Sequence, residues 1–393
     1  MIHSNPQTKT DLSEIIAQLS AGKNLCSSQT EFATKVIFDC LASSQSPTNM
    51  LPLMVAFFGG LTIKKPTVDE LAGMVEAMDK TRSSTFRFNS SKPIVTAGGT
   101  GGDTFQTINV TTPALIIAAA AGAHAIKSGS KSFSSKAGCI DLAQDLGINV
   151  YATQQIVEEC MRSIKTSVWA SEGVYPWMKP LIELATDESA YAVMPMLYSL
   201  RLMIAAGLNP FGLKRQVRGV SQPYTETIAT VLSKNGYERV LVVLGYGANE
   251  DIRIDEFSNL GRNVVSEVKP NGSVTTFCFY PEDIGLQRGD AKEVVYPGSH
   301  ALNTQAILKV LLGKDQSTRR DLILLNAAAI LYIAEAASNF KDGYELAKQA
   351  VDDGAAIEKL KQLVALSGGC PEHLRSLYNK DLGDIFSKAG SLL

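Results

Sequence analysis

The stretch "TAGGTGGDTFQTINVTT", Thr96 to Thr112, places four glycines, one carboxylate and a succession of hydroxyls and amides within seventeen residues. Glycine carries no Cβ, so such a stretch turns at positive φ and lets a ligand approach bare backbone N–H groups. The β-rich run "PIVTAGG" leads into it, and "TTPALIIAAAAGA", with proline in its first turn, leads away. A glycine loop between a strand and a helix N-terminus offers unpaired N–H groups and partial positive charge, which suits phosphate. The spacing is neither GxxxxGK[ST] nor GxGxxG, which excludes the P-loop and the dinucleotide fingerprint.

A second polar loop, "KSGSKSFSSKAG", follows the next strand, "HAIKSGS", and carries three lysines, five serines and two glycines over Lys127 to Gly138. Two phosphate-compatible loops after neighbouring strands imply a ligand with more than one anionic group, seated outside the carboxyl ends of the strands. A third loop, "GYGANEDIRIDE", follows the continuous apolar run "VLVVLG" and places Asn249, Glu250 and Asp251 at another strand end. Oxygen ligands there suit Mg²⁺, which binds through one or two carboxylates plus substrate phosphates. Each loop also has a plain reading, as a packing turn or a solvated surface, and it is their succession that favours a ligand.

The elements that must hold these loops alternate. From Asp11 to about Lys80 the apolar residues recur at helical steps, with Asp11 and Thr67 at cap positions. A polar linker, "SSTFRFNSSK", separates this from a region where strand and helix patterns alternate, beginning at Pro93. The run "ERVLVVLGYG" reads as a strand of a parallel sheet buried on both faces. "RRDLILLNAAAILYIAEAASN" and "GYELAKQAVDDGAAIEKLKQLVAL" read as two late helices, and Val157 to Met203 as a return to helix. This is an α/β protein with a helical domain attached.

The 393 residues carry 37 basic and 39 acidic side chains, so net charge gives no reason to expect nucleic acid or membrane as partner. Six scattered cysteines and four dispersed histidines show no zinc spacing and no disulfide framework. No signal pattern or bilayer-length apolar run is seen, and a cytoplasmic location is expected.

In this order the motifs resemble the anthranilate phosphoribosyltransferase family, of the same fold group as the pyrimidine nucleoside phosphorylases. The family's GTGGD…T-x-N-x-S/T-T loop is matched by Gly99, Thr100, Gly101, Gly102 and Asp103, then Thr107, Asn109, Thr111 and Thr112. Its K-H-G-N-R-S-x-S-S-K-x-G loop is matched from Lys127 to Gly138, and its G-x-D-E metal pair falls on Asn249 and Glu250. "LSAGKNL", "LNPFGLKRQVRGV", "PEDIGL" and "RRDLILLNAAAILYIA" add support, and the likeness runs from about Leu12 to Leu366, leaving the tail 367–393 unmatched.

The resemblance implies a small all-helical domain hinged to a larger α/β domain with a mainly parallel central sheet covered by helices. The helical part would take 10–80, joined by helices from about 157–203, and serve a homodimer; the α/β part would take 92–156 and 204–366. It implies transfer of a phosphoribosyl group from phosphoribosyl pyrophosphate, with Mg²⁺, to an aromatic amine, first of all anthranilate. Donor contacts would come from Gly99, Thr100, Gly101, Gly102, Asp103, Thr107, Asn109, Val110, Thr111, Thr112, Lys127, Gly129, Lys131, Ser132, Ser134, Ser135 and Cys139. Acceptor contacts would come from Gly99, Ser128, Ser130 and Tyr175, and metal contacts from Thr111, Asn249 and Glu250.

Departures from the family pattern are concentrated on the acceptor side. Its histidine and asparagine in the second loop are Ser128 and Ser130, its "YHPAM" reads "VYPWM" with Tyr175 at the histidine, and its arginine falls near Ala185. A neutral side chain does not replace the planar fork of an arginine on a carboxylate. Arg201 reads as a helix-surface charge, while Tyr175 and Trp177 suit either an aromatic acceptor or the core. On the donor side Thr96, Cys139 and Asn249 replace an aspartate, a serine and an acid. Two other readings stay open beside anthranilate transfer: a paralogue using the same donor on a different acceptor, and a non-catalytic relative that binds a ligand or nucleic acid.

Overall fold

A computed structural model describes residues 6–43, 46–101, 103–129, 138–171, 173–186 and 195–381. Its strands are β1 (Ile94–Gly99), β2 (His124–Gly129), β3 (Thr166–Ala170), β4 (Arg215–Gly219), β5 (Arg239–Tyr246), β6 (Arg253–Ile254), β7 (Asn263–Val268) and β8 (Val274–Phe279). Helices fill most of the intervals, as the mixed α/β reading requires, and no helix among the described residues is long and apolar enough to cross a membrane.

The chain forms two compact units. The first comprises Met1–Phe86, Ser171–Leu244 and Val264–Cys278; the second comprises Arg87–Ala170, Gly245–Asn263 and Phe279–Leu393. This differs from a division into a helical part and a single α/β part. β4 and most of β5, β7 and β8 belong with the N-terminal helices, because the helix Thr225–Lys234 packs on the helix Val68–Lys80. Asn235 Nδ2, just past the first of these, donates to Ala72 O at 3.2 Å. The segment beginning at Ser171 is grouped with the N-terminal helices, and the helix Gln154–Ser163 with the second unit.

In the first unit the Val68–Lys80 helix opens as its sequence predicts. Thr67 accepts from Glu70 N–H, and the Glu70 side chain accepts from Thr67 N–H, a reciprocal cap. The helix expected to start at the Asp11 cap starts at Pro6 instead, since proline is pre-organised for a first helical position. β4 and β5 pair in parallel from Arg215↔Arg239 to Gly219↔Val243, and β5 is buried from Val240 onward, as a strand covered on both faces should be.

In the second unit the strands lie in the order β3-β2-β1, all parallel, with Ile94 opposite His124 and Gly129 opposite Ala170. Parallel pairing brings the carboxyl ends of β1 and β2 side by side, so both polar loops leave from one edge. The helix Thr111–Ala120 and the helix Thr318–Ile333 supply the core; the latter buries twelve residues, including Leu322, Leu325 and Ile330. The single late helix expected from "GYELAKQAVDDGAAIEKLKQLVAL" is two, Phe340–Asp352 and Ala355–Leu366. Gly354 between them sits at φ +76, a conformation that ends a helix at little cost only for glycine.

Candidate active site

The site is assembled where the loop after β1 meets the segment after β6. β6 pairs antiparallel with the end of β5, Gly245 opposite Ile254 and Tyr246 opposite Arg253, so the chain runs out along a tip and returns. On its return it presents Asp255 and Glu256. Phe257, the next residue, is fully buried among the rings of Phe279 and Phe340, and Asn326 grips its backbone from both sides. Phe257 N–H donates to Asn326 Oδ1 at 3.0 Å, and Asn326 Nδ2 donates to Phe257 O at 2.8 Å. An aromatic anchor and a satisfied amide thus fix the backbone that carries the two acids.

The glycine loop closes on them. A Cβ at Gly99 would stand 2.1 Å from Asp255 Oδ2, so only glycine allows this approach. Gly101, at φ +71, donates its N–H to the same oxygen at 2.5 Å. Asp255 N–H donates to Asp103 Oδ1 at 2.8 Å, and Thr104 exchanges backbone and side-chain bonds with Asp251 and Arg253. The Thr111 hydroxyl, at the first position of the following helix, donates to Glu256 Oε1 at 3.2 Å.

Three carboxylates therefore converge: ligand oxygens of Asp103, Asp255 and Glu256 all lie within 4.8 Å of one another. Burial, then the charges of Asp255 and Glu256, hold the Asp103 carboxyl far above the usual carboxylate range. Burial, then Asp255, raises Glu256, with Lys127 and the Thr111 hydroxyl opposing. Among the described residues Glu256 Oε2 is buried with no hydrogen-bond partner. Like charges held together with an unsatisfied oxygen are costly alone and are relieved by a hard cation, so this donor set fits Mg²⁺.

Lys127, only 4% exposed on β2, donates to Ala97 O at 3.3 Å and lies near the Glu256 charge. Ser128 and Gly129 complete β2. Gly129 is in contact with Cys139, whose Sγ would be 2.2 Å from a Cβ there. The helix Thr111–Ala120 has no side-chain cap at Val110, which is buried, and the Thr112 hydroxyl is buried without a partner among the described residues. Thr107 bridges to Val295, and Asn109 bonds to Asn303. Gly102, Ser130, Lys131, Ser132, Ser134 and Ser135 lie outside the described residues.

Of the metal positions read from the sequence, the structure brings Thr111 to this cluster and leaves Asn249 and Glu250 out of it. Asn249 and Glu250 occupy the exposed tip between β5 and β6, where Asn249 Oδ1 accepts from Ile252 N–H at 3.2 Å and Glu250 pairs with Arg262. Thr111 meets Glu256, not Glu250. The signal was present in the sequence: a literal Asp-Glu pair stands at Asp255 and Glu256, needing no Asn-for-acid replacement.

A family model described as the glycosyl transferase family, a/b domain, matches residues 91–357. Anthranilate phosphoribosyltransferase of Anaeromyxobacter dehalogenans (strain 2CP-C) is 33% identical over 351 residues, 89% of this chain and 97% of that one. The protein of the same name from Rhodopseudomonas palustris (strain BisB18) is 34% identical over 363 residues, 91% and 98% of the two chains. The chain belongs to the anthranilate phosphoribosyltransferase family.

The solved anthranilate phosphoribosyltransferase from Thermus thermophilus has a TM-score of 0.75 at 26% identity, covering 90% of this chain and 99% of its own. The Saccharomyces cerevisiae enzyme, solved in complex with PRPP and Mg, shares the fold at a TM-score of 0.75 and 20% identity, covering 91% and 98%. Against this family, the position of its histidine is core here. Tyr175 is 1% exposed, its hydroxyl accepts from Asn209 N–H at 3.1 Å, and burial raises its pKa. Trp177 stacks on Phe38 with ring centroids 3.9 Å apart and donates Nε1–H to Thr81 Oγ1 at 2.9 Å. Arg201 is exposed on the helix Tyr198–Gly207, as a surface charge would be.

Proposed function

We propose that this protein transfers the 5-phosphoribosyl group of phosphoribosyl pyrophosphate to the amino group of an aromatic amine, with anthranilate the leading acceptor. The observation that carries this is the convergence of Asp103, Asp255 and Glu256 under the glycine loop, beside Lys127. The names of its relatives point the same way. Asp255, Glu256, Asp103 and the Thr111 hydroxyl would hold Mg²⁺, which neutralises pyrophosphate charge as it develops. In the reaction the amine nitrogen bonds to ribose C1 while the C1–O bond to pyrophosphate breaks, and the amine proton passes to water or the departing pyrophosphate.

The carbon centre becomes cation-like as the anion leaves, so the protein's task is positioning and electrostatics rather than nucleophilic attack. Lys127, the uncapped first turn at Thr111 and Thr112, and N–H groups of the glycine loop other than that of Gly101, which donates to Asp255, would receive the phosphates. Gly99, Thr100, Gly102, Gly129, Cys139 and the serines and lysine of the second loop would complete the donor contacts.

A second reading keeps this donor and changes the amine. It is favoured by Tyr175, whose hydroxyl is already satisfied inside the core where the family has a histidine. Both are tested by following anthranilate fluorescence with the donor and Mg²⁺, then an amine panel with pyrophosphate release as readout. Anthranilate turnover ends the second reading, release with another amine alone establishes it, and no release with any amine sinks both.

A further inference from the structure

The amino ends of β1, β2 and β3 carry a cluster of cations that no part of the reaction just described uses. The strands pair from Ile94 opposite His124 and from Ala125 opposite Thr166, so Lys92, His124 and Lys165 stand together at the edge away from the glycine loop. Ser90 Oγ lies 2.6 Å from Nδ1 of His124, a buried residue, and donates to Lys92 O at 2.7 Å. Ala125 N–H donates to Lys165 O at 3.0 Å. Lys165 Nζ donates to Arg162 O, and Lys359 Nζ, reaching over from the helix Ala355–Leu366, donates to Ile164 O at 3.0 Å. Among the described residues no carboxylate pairs with Lys92, Lys165 or Lys359. The acids nearest in the chain are engaged elsewhere: Glu158 accepts from Arg87 N–H and Gln154, Glu159 from Arg162 and Ser163, and Glu358 pairs with Lys361. Burial, then the charges of Lys165, Lys92 and Lys359, holds His124 below its usual range, and burial, then Lys165, lowers Lys359.

We infer that Lys92, Lys165 and Lys359 form a binding site for the phosphate group of a small molecule, separate from the glycine loop. One cation at a helix C-terminus completes its carbonyls, but Arg162 O and Ile164 O take a single hydrogen from each of two ammonium groups. The other hydrogens are left for an incoming acceptor. Lys165 also holds a conformation that glycine adopts at less cost: it follows the helix Gln154–Ser163 at φ +66, with its N–H on Cys160 O at 3.1 Å. The turn alone would favour glycine, so what lysine adds there is its charge. Three point charges without a guanidinium fork match a compact, multiply charged phosphate better than a planar carboxylate.

The test places tungstate, a heavy isostere of phosphate, in crystals of the full chain and reads where its anomalous signal appears. A peak is expected among the three ammonium groups, displaced by inorganic phosphate and absent when Lys165→Gly and Lys359→Gln are combined. In solution, calorimetric titration of inorganic phosphate should show affinity falling about tenfold for each single variant, the factor for one charge-assisted contact. Lys165→Gly should melt no lower than the parent, which separates a lost site from a lost fold. The proposal is overturned by a peak confined to the glycine loop, by phosphate affinity within about twofold of the parent in both variants, or by a Lys165→Gly chain that melts well below the parent. A tungstate peak without phosphate binding in solution is an adventitious ion only and overturns it too. So does a single-stranded oligonucleotide held by these lysines where inorganic phosphate is ignored, since the ligand is then a nucleic acid.

Discussion

The neighbourhood of Asp255 in the second unit and that of Tyr175 in the first are both polar and largely buried, yet they are organised in opposite ways. Around Asp255 three carboxylates crowd together and one oxygen of Glu256 has no partner among the described residues. Around Tyr175 the hydroxyl is met by Asn209 N–H, and Asn209 in turn donates to Leu213 O at 2.8 Å and to the Tyr237 hydroxyl at 3.0 Å. Buried polar groups that satisfy one another stabilise a fold; groups that repel one another persist where something from outside completes them. The second region is therefore completed from within the core, whereas the first offers a donor set that a cation would complete, although the family pattern points to both.

The largest expected effect follows from removing a charge from the first region. Asp255→Asn or Glu256→Gln should lower turnover roughly 100-fold by weakening Mg²⁺ binding, a loss of about 2.7 kcal/mol in barrier terms. Metal titration against rate checks it, and normal turnover at saturating Mg²⁺ with unchanged metal affinity would refute the cluster's role. Next comes Lys127→Met, which removes the cation near Glu256 and should raise the donor KM about tenfold or more, as charge-assisted contacts do. A donor KM unchanged in steady-state assays would move Lys127 out of the site.

Smaller effects separate the second region from the first. Tyr175→Phe leaves the Asn209 N–H without its acceptor and should cost about 1 kcal/mol in a denaturant melt, with donor KM unaltered. A donor defect without a stability loss would reverse the contrast between the two regions. The smallest effect is expected of Glu250→Gln at the exposed tip, where a surface pair with Arg262 contributes little. Its Mg²⁺ dependence should match the parent within about twofold, and a large shift would return the metal site to the Asn249–Glu250 pair.

The turn of the glycine loop and the ends of β1 and β2 were legible in the sequence because each is a local event. Gly99 and Gly101 advertise close approach and positive φ, Thr67 and Glu70 advertise a cap, and a polar loop after each of two strands advertises one shared edge. The carboxylate cluster was not legible because distance along the chain is not distance in space. Asn249 and Glu250 come first after β5, but the antiparallel pairing of β5 with β6 carries them out to a tip and brings Asp255 and Glu256 back. Tyr175 was ambiguous for a related reason: a tyrosine's composition does not say whether its hydroxyl has been met.

What the sequence determined by itself is therefore the set of local conformations, the alternation of strand and helix, and the kind of ligand the glycine and lysine loops invite. Those depend on φ/ψ freedom, periodicity and residue chemistry within a few positions. Only the tertiary structure decided which acids face the loop, that Asn303 holds Asn109, and that the Tyr175 hydroxyl is spent on Asn209. Each of those is a contact across tens or hundreds of residues, set by how strands pair and helices pack, and no short stretch of the chain contains both partners.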